Sequence, residues 1–267
     1  MNNKTVNLLG TEIHALSMYE VLGICEEHIH MKRMLLLGVI NVAKLVNCRK
    51  NTELRQSLNE ADVVVADGLP VVWLSILVGN PLPERIAGID IMYQLLKLAS
   101  KNHYRVFFLG AKQQIVKKVV DFSQREYPGL QIAGYRNGYF KESEDKDVAE
   151  QIRESSTDIL FVAISSPKKE IFLRKWRGFM GIPVCHGVGG SFDVLAGVTK
   201  RAPMWMQRCG IEWLYRLIQE PRRMWKRYLV TNTIFIKLSL EAIIKARLNR
   251  MFRRFGLTFT SSVKKPE

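Results

Sequence analysis

Along most of the chain, short unbroken apolar runs alternate with longer segments whose apolar positions fall three and four apart. The short runs are Met34 to Ile40, Asp62 to Ala66, Arg105 to Leu109, Gln131 to Gly134, Asp158 to Ala163 and Ile182 to Cys185. Runs that are apolar on both faces suit strands of a parallel sheet covered from both sides. The segments between them, about 43–61, 69–79, 113–126, 144–155 and 168–179, carry the helical period. Two runs flanking Gly10, Thr5 to Leu9 and Glu12 to Leu16, predict an opening hairpin. Ser17 followed by Glu20 predicts a capping box for a helix ending near Met31. The alternation predicts an α/β fold: a largely parallel sheet with helices on both faces. This body is expected over residues 1–200, with a helical appendage over 201–267.

Ligands in such folds bind beyond the carboxyl ends of the strands. Those ends are predicted at Asp67, Gly110, Ser165 to Pro167 and Gly187 to Gly190. Asp67 is placed either to act as a general base or to cap the helix that follows. Arg85, in the loop before the next helix, either grips a phosphate or carboxylate or pairs with Glu84 or Asp90, with Asp90 capping that helix. Lys168 and Lys169 open a helix at a strand end, where free N–H groups favour an anion, although an ordinary capped turn fits equally. The turn Gly187-Val188-Gly189-Gly190 lets backbone approach a phosphate closely. It has neither the G-x-G-x-x-G spacing nor the P-loop pattern, which counts against dinucleotide oxidoreduction and ATP hydrolysis. Asp193 just beyond it is placed to meet a ribose.

Charge sharpens the picture. The net charge is +15, and residues 201–267 hold 15 Lys/Arg against 4 Asp/Glu, whereas residues 1–200 hold 25 against 21. A balanced body with a basic tail points to an anionic lipid surface, a nucleic acid or a diphosphate. Ile236, Leu240, Ile243, Ile244, Leu248, Met251, Phe252 and Phe255 form one stripe at helical spacing in that tail, the pattern of a basic amphipathic helix at a membrane surface. A nucleic-acid arm is the competing reading, against which the large apolar residues count. The longest apolar run, Leu69 to Val78, is far short of the ~20 residues that span a bilayer. The polar N-terminal stretch, which breaks at Gly10, is not expected to act as a signal peptide. The scattered cysteines, Cys25, Cys48, Cys185 and Cys209, fit neither disulfides nor zinc and suit a reducing compartment. The histidines show no metal spacing, and no Asp-x-Asp clamp for a divalent metal is expected. Phosphate charge would then fall to Arg, Lys or backbone N–H.

A series of ordered motifs resembles the WecG/TagA/CpsF glycosyltransferases, glycosyltransferase family 26. They are Ala66-Asp67-Gly68, Glu84 to Asp90, Ser166-Pro167-Lys168, Gly187 to Asp193, Ala196-Gly197, Arg201-Ala202-Pro203, Glu212 to Arg216 and Glu220 to Arg223. The resemblance implies a Rossmann-like fold and inverting, metal-independent transfer from a UDP-sugar to a polyprenyl-diphosphate-linked sugar. It implies peripheral attachment at the cytoplasmic face of a bacterial plasma membrane, with no nucleic-acid partner and a homo-oligomer left open. It also makes Asp67 the general base and gives UDP to Gly187, Gly189, Gly190 and Asp193. Asn41, Arg85, Asp90, Lys169 and Arg201 would lie around the substrates. Arg216, Arg223 and Lys226 would neutralise the diphosphate. The chain departs from the family pattern at Lys169, where many relatives have Gln, and at Val39, where relatives tend to have Thr before the retained Asn41.

Overall fold

The computed structural model describes residues 4–254. The expected contribution of Phe255 and the frayed end over 256–267 lie outside the described residues. Strands β1 (Thr5–Leu8) and β2 (Thr11–His14) form the opening antiparallel hairpin. The remaining strands are β3 (Leu35–Ile40), β4 (Val63–Ala66), β5 (Arg105–Gly110), β6 (Gln131–Arg136), β7 (Ile159–Ala163) and β8 (Val184–Gly187). They make one parallel sheet in the order β4-β3-β8-β7-β5-β6. Between and after them run α1 (Met18–His30), α2 (Val42–Cys48), α3 (Thr52–Asn59), α4 (Leu69–Leu77), α5 (Gly88–Asn102), α6 (Gln113–Glu126), α7 (Asp145–Glu154) and α8 (Lys168–Met180). The C-terminal part holds α9 (Ser191–Leu195), α10 (Met204–Arg208), α11 (Glu212–Gln219) and α12 (Pro221–Arg254).

Alternation along the strands sorts the core. In β3, Leu35, Leu37 and Val39 turn towards α1 and α5, joined by Phe108 and Phe161 of the neighbouring strands. Leu36, Phe107 and Leu160 face the other way onto α7 and α8. Nearer the β4 edge, Ile40, Val64 and Ala66 are covered by the hairpin and by α2 to α4. The hairpin also blunts that edge, since the Val64 N–H donates to His14 Nδ1 at 3.0 Å. The capping box forms as expected: Ser17 Oγ accepts from the Glu20 N–H, and Glu20 Oε2 accepts from the Ser17 N–H at 2.7 Å.

Four details differ from the sequence reading. The stretch 43–61 is two helices, not one, because Asn51 caps a new start by accepting from the Leu54 N–H at 2.9 Å. Gly187 belongs to β8, so the glycine turn begins one residue later. Asp90 does not cap α5, whose N-cap is Ala87; it lies inside the first turn. The single apolar stripe expected after Pro221 divides. Phe235 is buried, and Ile234 and Ile243 pack with it against the hydrophobic cluster of α2 and α4. Ile236, Leu240, Ile244, Leu248 and Met251 face outward, exposed, at spacings of three and four. A helical wheel cannot say which neighbour arrives, and the body reaches only one side of α12. No helix among the described residues is long and apolar enough to cross a membrane.

The two sides of α12 therefore respond differently to truncation. Phe235→Ala should cost about 3 kcal/mol, read as a lowered thermal midpoint. Ile236→Ala, one residue on but exposed, should stay within about 0.5 kcal/mol of the wild type.

Candidate active site

Neighbouring strands β4, β3 and β8 bring three loops together at their carboxyl ends. Asp67 follows β4 directly, and its N–H donates to the Ile40 carbonyl at 2.8 Å, which extends the ladder by one residue. The N-cap of α4 is Gly68, with no side-chain cap. Asp67 is thus not the cap that one sequence reading allowed, and its carboxylate accepts no hydrogen bond from the described residues. Burial pushes its pKa up to about 6, and the like charge of Glu212 adds to this, while Arg85, Arg216 and Lys44 hold it down. A carboxylate in that range is ionised at neutral pH yet basic enough to take a proton.

Around it the structure assembles an ionic circuit from the body and the C-terminal helices. Arg85 Nη1 lies 3.2 Å from Glu212 Oε2, and Arg85 Nη2 lies 3.4 Å from Asp90 Oδ2. Of the two pairings open to Arg85 in sequence, Asp90 is the one made. Glu84 instead accepts from the Met18 N–H. Arg201 grips Asp90 with both nitrogens, at 2.7 and 2.8 Å. Arg216 stands 3.9 Å from Glu212 one turn earlier on α11.

The glycine turn completes one wall. Gly189 has φ +54°, a left-handed conformation that suits glycine. A Cβ on Gly190 would sit 3.7 Å from Arg216 Nη1, so turn and arginine face each other closely. Gly190, Asp193, Arg201, Arg216 and Glu220 line a shallow, open hollow. Asp193 itself sits in the first turn of α9, where its carbonyl accepts from the N–H groups of Val198 and Thr199.

Other expected residues take less direct places. Asn41 caps α2, its Oδ1 accepting from the Lys44 N–H at 3.1 Å. Lys226 is exposed on α12, outside the lining of the hollow. The side chain of Arg223 lies outside the described residues. Lys169 is only 5% exposed. Its ammonium lies 3.4 Å from Glu170, which Lys44 also approaches at 3.0 Å. Burial, together with the like charge of Lys44, lowers the Lys169 pKa to about 8. Burial alone would raise that of Glu170, but Lys44 and Lys169 override it and leave it near 2. The Lys169 stem fills the space beside Gly187, where a Cβ would come within 2.7 Å of Lys169 Cε. His186 on β8 is fully buried with its pKa lowered to about 4, chiefly by burial, and its Nε2 lies 2.9 Å from the Gly88 carbonyl. It thereby ties the strand of the glycine turn to the loop that carries Arg85.

Lys44, Glu170 and Glu212 were given no role in the sequence reading. Lys44 lies in a polar helix with nothing to mark it, and Glu212 was visible only as motif text. Contrary to the expectation of no Asp-x-Asp, the chain holds one, Asp145 to Asp147; it opens α7 after β6, at the sheet edge opposite β4 and away from Asp67. Among the described residues, no group of three His, Cys, Asp or Glu side chains could hold a metal ion.

A strand-end carboxylate, a glycine turn and converging arginines thus meet at the carboxyl edge of a parallel α/β sheet, the place where ligands of such folds bind. Residues 6–250 match the model of the glycosyl transferase WecG/TagA/CpsF family, and the chain belongs to that family. It is a glycosyltransferase. It is similar to an N-acetylglucosaminyldiphosphoundecaprenol N-acetyl-beta-D-mannosaminyltransferase of Bacillus spizizenii, 41% identical over 67% of this chain and 69% of that protein. A protein of the same description from Bacillus subtilis is 39% identical over 76% of this chain and 78% of its own length.

Proposed function

We propose that this glycosyltransferase moves an N-acetylhexosamine, N-acetylmannosamine in the first instance, from a UDP-sugar to a polyprenyl-diphosphate-linked N-acetylglucosamine, with inversion and without a metal. The acceptor and the sugar follow the descriptions of the two Bacillus relatives. The observation that carries the reading is Asp67: a carboxylate at the end of β4, not spent on capping, with its pKa lifted to about 6 among arginines.

In this reading Asp67 takes the proton of the acceptor hydroxyl as its oxygen attacks the anomeric carbon. The bond from that carbon to the diphosphate breaks as the new one forms, so the electron pair leaves with UDP. A single displacement from the face opposite the leaving group inverts the anomeric centre. The N–H groups of the glycine turn and the guanidinium of Arg216 would receive the charge that develops on the diphosphate, the electrostatic task that dominates many active sites. Asp193, beside the same hollow, would meet the ribose.

The acceptor's lipid requires the enzyme to work at a membrane. The outward ladder of Ile236, Leu240, Ile244 and Leu248, with Lys237 and Lys245 beside it on the same helix, supports docking of α12 on an anionic surface at the cytoplasmic face. The same exposed ladder speaks against reading the basic segment as a nucleic-acid arm.

Transfer from UDP-N-acetylmannosamine to a lipid-linked N-acetylglucosamine tests the reading. Asp67→Asn should slow it by about 10²–10⁴-fold while UDP still binds; full turnover in that variant would exclude Asp67 as the base. In the wild type, kcat/KM should fall as pH drops through about 6, because the base is then protonated. Leu240→Ser with Ile244→Ser should reduce co-sedimentation with anionic vesicles and leave the melting point unchanged, and undiminished vesicle binding would refute the docking face.

A further inference from the structure

One ionic link between the body and α11 passes through the carboxylate of Glu212. Glu212 opens α11 with its side chain 22% exposed. One oxygen meets Arg85 of the body and the other faces Arg216 of its own helix. Arg85 has a second carboxylate within reach, Asp90, but Arg201 already holds both oxygens of Asp90 at 2.7 and 2.8 Å, against 3.4 Å for Arg85. At 3.2 Å, Glu212 is the closer partner of Arg85. Without it, two arginines would share Asp90, and the weaker-held one would be free to swing away from the base. The circuit contains three guanidiniums and two carboxylates, so its net positive charge stays available to an entering diphosphate.

We propose that Glu212 is a positioning residue for sugar transfer: it clamps Arg85 to α11 and orients Arg216, so that base and cations form one site only when α11 is seated on the body. This rests on the reading of Asp67 as the base. The clamp has a second consequence at Asp67. The charges that face that carboxylate are Glu212 and Arg216 from α11, Arg85 from the loop before α5, Lys44 from α2 and Lys169 from α8. Glu212 is the one anion in that set. Removing its charge leaves Asp67 facing cations alone, and its protonation moves to lower pH.

Glu212→Gln keeps the shape and one acceptor oxygen but removes the charge. In the transfer assay its acid limb of kcat/KM should shift to lower pH, and the donor KM should rise. At neutral pH kcat/KM should fall about ten- to hundredfold, the scale on which small misplacements of positioned groups act. Glu212→Asp keeps the charge and shortens the reach. Its acid limb should stay at the wild-type pH while the donor KM rises. An unchanged acid limb and unchanged KM in Glu212→Gln would overturn the clamp, and a merely structural role would not move the limb. If Glu212→Gln melts well below the wild type, Glu212→Asp decides the matter, and an unchanged donor KM there overturns the proposal. Failure of the underlying reading looks different, because the wild type itself would then show no Asp67-dependent transfer.

Discussion

The site depends on the cost of placing a carboxylate at the half-buried end of a parallel strand. Withdrawing Asp67 from bulk water disfavours its charged form and is the main cause of the rise of its pKa to about 6. Nearby cations must then compensate enough to keep it ionised at neutral pH, but not so much that it loses basicity. Lys44 lies on the neighbouring α2 and Arg85 in the loop that leaves α4, while Arg216 comes from far along the chain. The balance at Asp67 is therefore set by the body and the C-terminal helices together.

A second burial lies behind the cleft. Lys44, Glu170 and Lys169 form a compact ionic group whose net charge is positive, with the Lys169 stem packed against Gly187. Taking such charges from water is expensive, and the pairing offsets only part of that cost. The group lies beside Gly187, the last residue of β8 before the glycine turn. The long α12 serves two surroundings at once. Phe235 and Ile243 fix it to the cluster of α2 and α4, and the opposite ladder from Ile236 to Met251 is left outward.

The sheet was legible in the sequence because parallel strands buried on both faces read as unbroken apolar runs, and each run became a strand with ends shifted by no more than two residues. The placement of Asp67 and of the glycine turn just beyond strand ends was legible for the same reason. Partnerships were not. Arg85 and Glu212 are 127 residues apart, and Asp90 and Arg201 are 111 apart, so no local pattern announces either contact. Lys169 read as a cation at a helix start, either facing a ligand or belonging to an ordinary capped turn. The fold turns it inward because Glu170 offers a charge and Gly187 leaves room. Asn51 was equally hidden, since a polar helical stretch gives no sign of which Asn will end it and start another.

Calorimetric titration of UDP into the full chain and into Arg216→Ala tests most directly whether the C-terminal helices form part of the site. The account predicts that UDP binds the wild type, that the variant loses about tenfold or more in affinity, and that uridine without phosphates binds both alike. Equal affinity of UDP for the wild type and for Arg216→Ala would contradict it.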